Sequence, residues 1–426
     1  MGDWNTRPLA DFVDPDRSIC YGIVQPGPAV SHGVPIVRVN NFVGGGVDTT
    51  GALKVDSLVE AKYRRSRLQG GELLITLVGS MGLSAIASEE LRGWNVARAV
   101  GVVPLRPDAD KRWINFVVRS KPTQDFIRMR ANTTVQATFN LKDLAELPIP
   151  CPPDAIRTEL SAILSALDDK IELNRRMNET LEAMARAMFK DWFVDFGPTR
   201  AKMGGHAPYL APEIWSLFPD RLDADGKPEG WSVRPLDQVA DFLNGLALQK
   251  YPANGGDALP VIKIAQLRAA SVESADRASA EIPQGYIVED GDVLFSWSGS
   301  LIHRVWTAGR GALNQHLFKV TSQKFPKWFF FHWITEHMPS FRATAASKAT
   351  TMGHIQRRHL TQADTFIGTP AFMTAADELI APLFNRQIAN DLESRTLAAT
   401  RDLLLPKLMS GEVRVKDAER HIGEAT

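Results

Sequence analysis

The side chains with chemistry to offer fall into a few short clusters. Lys62, Arg64 and Arg65, followed by Arg67, form the densest basic run of the first 150 residues. Arg357 and Arg358, followed by His359, form a second run, and Asn314-Gln315-His316 is a polar triplet. Arg38 and Lys263 place a cation at one repeat position of an internal duplication described below, and Arg304 adds a cation to the second copy. Lysine and arginine neutralise phosphates, and arginine, asparagine and glutamine can read base edges through paired hydrogen bonds. Apart from Arg67 and His359, which flank the runs, these eleven residues are therefore candidates for contact with nucleic acid.

Known catalytic patterns are missing. The chain has no Gly-x4-Gly-Lys-Ser/Thr loop for nucleotide phosphates. Gly79-Ser80-Met81-Gly82 and Gly299-Ser300 lack the Gly-x-Ser-x-Gly elbow of a serine hydrolase. Cys151-Pro152-Pro153-Asp154 does not fit the Asn/Asp-Pro-Pro-aromatic tetrapeptide of amino-methyltransferases. Pro153-Asp154 with Asp168-Asp169-Lys170 mimics a nuclease pattern, but it falls on an expected helix rather than on paired strands. The nine histidines are scattered, and His303, His316 and His354 have no first-copy equivalents. Two cysteines, Cys20 and Cys151, form neither a CxxC nor a Cys/His cluster, so neither a zinc site nor a disulfide scaffold is expected.

Length and composition frame these clusters. At 426 residues the chain has room for two to four domains. Hydrophobic residues are 44% and charged residues 23%, as in folded proteins rather than disordered ones. No apolar run reaches membrane-spanning length, and the N-terminus lacks the apolar core of a signal peptide, so a cytoplasmic location is expected. The net charge is zero, but it resolves into +3 over residues 1–150, −3 over 151–228, +2 over 229–372 and −2 over 373–426. Two slightly basic segments alternate with two acidic ones, which permits an electrostatic footprint on nucleic acid.

An internal repeat organises the elements that must position these residues. Val34-Pro35-Ile36-Val37-Arg38-Val39 resembles Leu259-Pro260-Val261-Ile262-Lys263-Ile264, 225 residues on. Gly71-Glu72-Leu73-Leu74-Ile75-Thr76 resembles Gly291-Asp292-Val293-Leu294-Phe295-Ser296 at 220, a match that extends to Gly79-Ser80 and Gly299-Ser300. Thr133-Thr134-Val135 resembles Thr350-Thr351-Met352 at 217, and Ile163, Leu167 and Ile171 correspond to Ile380, Phe384 and Ile388. Order is kept and the offset drifts by loop-sized amounts, so the chain holds two copies of one domain-plus-helix unit. Short β segments are expected at 34–39 and 72–78 and again at 259–264 and 292–297, giving two α+β domains with irregular sheets.

The helix after the first domain is clear. Asp154 is an N-cap candidate after a Pro-rich stop. From there Leu160, Leu164, Leu167, Ile171, Asn174, Asn178, Leu181, Ala185, Met188 and Trp192 step by fours and threes, a heptad seam. Asn174 and Asn178 interrupt it, and polar seam residues can fix register. The second copy, expected over 374–408, is less regular; Phe384, Ile388 and Leu392 are on its apolar face, and Asp391 and Arg395 correspond to the two asparagines. Pro382 is placed in its first turn, and Pro406 is expected to kink or end it. Two striped helices bury their stripes most simply as an antiparallel coiled coil. A helix over 154–193 is about 60 Å long at ~1.5 Å per residue, whereas a turn of B-DNA is about 34–36 Å. A rod of that length can hold two reading domains between one and two turns apart.

With these residues in place, the chain resembles the specificity subunit of a type I restriction–modification enzyme. Tyr21-Gly22-Ile23-Val24-Gln25-Pro26-Gly27 resembles the opening of one target-recognition domain class, and Met188-Phe189-Lys190-Asp191-Trp192-Phe193-Val194-Asp195-Phe196 the end of the central spacer. Asn244-Gly245-Leu246-Ala247-Leu248-Gln249-Lys250, Asp292–Ser300 and Asn314–Phe318 resemble a second domain class, and Leu403–Glu412 the distal helix end. The resemblance implies a first target-recognition domain over 1–150, a central helical spacer over 151–197 and a connector over 198–230. A second recognition domain over 231–372, a distal spacer over 373–412 and a tail over 413–426 follow. It further implies a non-catalytic chain that reads a bipartite site on double-stranded DNA. Two methyltransferase subunits and restriction–translocation subunits would dock on the spacers and carry out adenine methylation and cleavage. S-adenosylmethionine, ATP and magnesium belong to those partners, with no cofactor or metal in this chain. On the residues alone, two other readings stay open: a self-contained DNA-modifying enzyme with an unrecognised site, and a coiled-coil adaptor without a DNA role.

Overall fold

The computed structural model describes residues 4–43, 45–131, 138–253, 255–347 and 353–410. The repeat landmarks at Thr133–Val135 and Thr350–Met352, and the tail from Gly411 onward, lie outside the described residues. The chain divides into two compact units, one formed by residues 1–171 and 396–426, the other by 172–395.

In the first unit a four-stranded antiparallel sheet runs in the order Cys20–Tyr21, Val100–Val103, Leu73–Thr76, Ser84–Ile86. Leu73, Leu74, Ile75, Val100, Val102 and Val103 are fully buried, so both faces of the central strands are covered. This is why they read as continuous apolar runs rather than alternating ones. A three-stranded sheet places Val34–Val37 between antiparallel Leu53–Val55 and parallel Asn95–Val96. Helix Lys111–Arg119 begins at Asp110, whose carboxylate accepts from the Trp113 amide at 2.9 Å. The buried Trp113 ring donates to the Pro150 carbonyl at 2.9 Å, and strand Thr6–Pro8 pairs with Pro148–Pro150, tying both ends of the domain together.

The second unit repeats this plan, with Ile287–Val288 added as a fourth strand on the sheet of Ala258–Ile262. Its antiparallel sheet runs Asp241–Asn244, Leu317–Thr321, Val293–Ser296, His303–Val305. Ala258–Ile262 pairs antiparallel with Arg277–Ser279 and parallel with Gly311–Leu313, and Ser232–Pro235 pairs with Asp364–Ile367. One helix, Lys327–Ser347, stands where the first unit has Lys111–Arg119 and Lys121–Arg130. The connector belongs to this unit: Phe218 and Trp231 are buried in its aromatic core with Phe189, Trp192, Phe193 and Phe372.

The expected long helices are present. The first spans Asp154–Phe189, continues as a π turn over Lys190–Val194, and stops at Phe196, whose φ of 54° is left-handed. The second spans Pro370–Ser410. In the first unit Leu160, Ile163 and Leu164 share a buried cluster with Leu404, Leu405, Leu408 and Met409. In the second unit Asn174 donates to Glu393 at 2.8 Å and to the Asn390 carbonyl at 3.4 Å. Four residues on, Asn178 donates to the Gln387 carbonyl at 3.1 Å and to Asp391 at 2.7 Å. As one number rises the other falls, so the helices are antiparallel, and fully buried Asn174 and Asn390 form a polar layer between them.

Two sequence expectations for the second helix change. It starts at Pro370, which puts Pro382 in its interior rather than its first turn, and it is one element through Pro406 to Ser410. Both prolines are on the exposed side, and the carbonyls they leave unbonded belong to exposed Glu378 and Asp402, where water can bond them. Buried Leu404 and Leu405 before Pro406, and Leu408 and Met409 after it, hold the helix on both sides of the proline. The partner of the Asn layer is Asn390 beside Asp391, whereas Arg395 turns outward to Asp290 at 2.7 Å and to the Thr307 carbonyl at 2.7 Å.

Candidate nucleic-acid interface

Each domain brings four distant segments together at one edge, with the same backbone hydrogen bonds in both copies. In the first, Ile23 bridges Ala97 in parallel, and the Arg98 amide donates to the Ile23 carbonyl at 2.8 Å. The Leu77 amide donates to Ala99 at 2.7 Å, Val78 bridges Thr138, and the Phe139 amide donates to Leu77 at 2.9 Å. In the second, Leu246 bridges Asn314 in parallel, and the Gln315 amide donates to Leu246 at 2.9 Å. The Trp297 amide faces His316 at 3.4 Å, Ser298 bridges His354, and the Ile355 amide donates to Trp297 at 2.9 Å. A hydroxyl shapes the same hairpin in each: the Leu83 amide donates to Thr76 Oγ1 at 3.0 Å, and the Ile302 amide to Ser296 Oγ at 2.9 Å.

Glycine is required where the first segment enters. A Cβ on Gly22 would lie 2.0 Å from the Val96 carbonyl oxygen, and one on Gly245 would lie 2.3 Å from that of Asn314. Such approaches are open only to glycine.

On this shared frame the side chains differ. The second domain presents a neutral, aromatic and amide-rich edge. Trp297 Nε1 donates to Asn244 Oδ1 at 2.8 Å and to the Gln315 carbonyl at 3.1 Å. Ser298 Oγ lies 3.1 Å from His316 Nδ1, and the Trp297 ring meets His316 at 5.8 Å and His354 at 6.3 Å between centroids. Asn314 is buried and its Oδ1 accepts from the His316 amide at 3.3 Å, so it shapes the turn. Gln315 is half-buried with only a 3.4 Å contact to His316 Nε2 on its amide nitrogen. The first domain has alanines at 97 and 99, with exposed Arg98 between them.

The basic run of the first domain is held from beneath. Buried Glu60 takes both oxygens to Arg67, with Nε at 2.8 Å from Oε1, and also accepts from Asn95 Nδ2 at 3.0 Å. The Arg67 hydrogen bonds hold its carboxyl below the usual range. Asn95, fully buried, donates to the Tyr63 carbonyl at 3.0 Å and accepts from Ser66 at 2.7 Å. The 61–66 turn is thereby fixed, with Lys62, Arg64 and Arg65 exposed on it; Arg65 donates to Ser18 at 2.7 Å.

Arg38 and Lys263 hold equivalent places, each ending a strand and starting a helical turn. The Arg38 amide donates to Asn41 Oδ1 at 2.9 Å and the Lys263 amide to Gln266 Oε1 at 3.3 Å. The Lys263 ammonium is ion-paired to Asp276. Arg304 is directed to the Leu267 and Arg268 carbonyls at 3.2 and 3.3 Å, and Arg357 to the Phe242 carbonyl at 3.0 Å. Arg358 is exposed. The triplet Asn314–His316 thus stands at the shared edge, and Arg38 and Lys263 adjoin it, because the carbonyls just before them, of Val37 and Ile262, accept from the Ala97 and Asn314 amides at 2.8 and 3.3 Å. Arg98, Trp297 and His354 join that edge and are absent from the sequence-derived candidates; aligning Ala97-Arg98-Ala99 with the triplet at the 217 offset would have found Arg98.

The nuclease-like carboxylates are structural. Asp168 bonds Arg119 at 2.6 Å and Arg401 at 2.5 Å, and Asp169 bonds Arg112 at 2.9 Å. Among the described residues no group of three acidic, histidine or cysteine side chains is placed to hold a metal, and no helix is long and apolar enough to cross a membrane.

One scaffold used twice, carrying different exposed side chains and followed in each copy by a long helix, defines a duplicated α+β protein. The model of the type I restriction modification DNA specificity domain matches residues 1–183. The type I restriction enzyme MjaIX specificity subunit of Methanocaldococcus jannaschii is 24% identical over 360 residues, covering 82% of this chain and 78% of the relative. The HindI specificity subunit of Haemophilus influenzae is 22% identical over 348 residues, covering 69% and 75%. The type I restriction–modification S subunit from M. genitalium shares the fold, with a TM-score of 0.51 and 13% identity over 95% of this chain and 96% of that one. By these comparisons the chain is similar to type I restriction–modification specificity subunits, with the family model confined to its first domain and the first long helix as far as residue 183.

Proposed function

We propose that each domain reads one half of a bipartite site on double-stranded DNA and that the two long helices set the gap between the halves. The observation that carries this reading is the shared edge, in which backbone bonds are repeated and side chains are replaced. A binding scaffold duplicated to read two different sequences needs that combination. Phosphate contacts by cations such as Lys62, Arg64 and Arg65 would position the domain, while the edge side chains read bases. The chain itself is non-catalytic in this reading. Methyltransferase subunits dock on the helix pair and restriction–translocation subunits join them, bringing S-adenosylmethionine, ATP and magnesium.

The test is methylation mapping of genomic DNA from cells carrying the complete locus and from cells lacking only this chain. Loss of one split motif is expected. Unchanged methylation, with the methyltransferase partner active, overturns the reading. Removing seven residues between Leu160 and Trp192, with the facing heptad of the second helix, is expected to change the spacer and leave both half-sites intact.

A further inference from the structure

We infer that Arg98 and Gln315 are equivalent base-reading residues, one in each half-site; this rests on the DNA-reading function proposed above. Three observations lead there. The two residues have the same backbone environment: each follows a parallel bridge, to Ile23 or Leu246, and each donates its amide back across it, at 2.8 and 2.9 Å. The glycines before those bridges, Gly22 and Gly245, leave no room for a side chain, so the position is fixed from behind. The side chains are also open for contact. Arg98 is exposed and makes no ion pair among the described residues, unlike Arg67, Arg119 and Arg401 of the same unit. Gln315 has only its long contact to His316.

The flanking residues sharpen the assignment. Ala97 and Ala99 clear space on both sides of Arg98, so it is the long polar side chain of its segment. Asn314 and His316, beside Gln315, are held by the turn and by Ser298, which leaves the glutamine amide as the mobile group. A guanidinium matches the two acceptors of guanine in the major groove, and a carboxamide matches the donor and acceptor of adenine. The first domain would therefore read a G·C pair at this place and the second an A·T pair.

The experiment uses the assembled complex and a duplex carrying the mapped motif, with each base pair replaced in turn. The wild-type complex is expected to lose roughly 5- to 150-fold in affinity at each pair that is read directly. With Arg98→Ala, that penalty disappears at one G·C pair of one half-site and stays at every other position. Gln315→Ala does the same at one A·T pair of the other half-site. Arg98→Lys keeps the charge but not the paired geometry, and is expected to relax the same base pair if Arg98→Ala binds too weakly to score. The assignment is overturned if all penalties remain at wild-type values, or if the relaxed pair is of the other kind. A wild-type complex with no sequence preference would instead overturn the underlying function.

Discussion

The two units build one fold with different means of anchoring the helix pair. The first is aliphatic and ionic. Its helices meet through leucines, and Asp168 is bound between Arg119 of the domain and Arg401 of the second helix, with side chains 24%, 14% and 8% exposed. The second is aromatic and amide-rich. Phe189 meets Phe193, Trp328, Phe329, His332 and Trp333 within 6.3 Å between ring centroids, and the asparagine layer crosses between the helices. The same contrast recurs at the two shared edges, cationic in one and neutral in the other. The fold therefore constrains backbone pairing and burial, and leaves the chemistry that fills them free to diverge.

The largest effect is expected from the aromatic anchor. Phe189→Ala should destabilise the second unit by about 3–5 kcal/mol, because it leaves a cavity among five rings. Urea unfolding followed by tryptophan fluorescence reads it, and a drop in stability under about 1 kcal/mol, well short of the usual cavity cost, would show that the rings are dispensable.

The ionic anchor comes next. Asp168→Leu should cost about 3 kcal/mol, since mostly buried Arg119 is left without its counter-charge and Arg401 keeps only the more exposed Asp402, at 2.8 Å. Replacing all three, Arg119→Met, Asp168→Leu and Arg401→Met, should recover most of that stability. No recovery would mean that the ion triad is itself stabilising.

Acid should separate the units further. Burial pushes His303 down to about 4 and His332 to about 3, and both belong to the second unit. Folded values below the unfolded one mean that the stability is complete above pH ~6.5 and is lost as pH falls from there towards 4 and 3. Each histidine adds at most about 1.4 kcal/mol per pH unit to the slope. Arg186 and His303 face His332, and Arg342 faces His303, so neighbouring positive charge acts in the same direction as burial. His332→Phe should flatten the acid limb of a urea-midpoint curve, and an unchanged limb would refute the assignment.

The smallest effect concerns the basic run on the 61–66 turn of the first domain. Lys62→Ala, Arg64→Ala and Arg65→Ala together should lower the salt slope of DNA binding by about 0.9 for each phosphate no longer neutralised, with the recognised motif unchanged. A changed motif would make one of them a base reader.

The duplication, the α+β class, the two long helices and most of the seam are legible in the chain alone. Those signals are local or periodic: a leucine every three or four residues must form a stripe, and the stripe residues Leu160, Leu164 and Leu167 are buried. Asn174 and Asn178 are equally plain as polar interruptions. What faces them is set by packing, because Asn390 is more than 200 residues away. The same holds at the edge. Ile23 and Ala97, or Leu246 and Asn314, meet across some seventy intervening residues through single bridges that leave no periodic trace. Arg304 and Arg357 look like free cations in the sequence, and nearby carbonyls occupy them in the fold. Arg98 looks like an isolated charge, and the fold sets it where Gln315 stands in the other copy. Side-chain availability depends on non-local hydrogen bonds, so composition and spacing name the candidates and packing chooses among them.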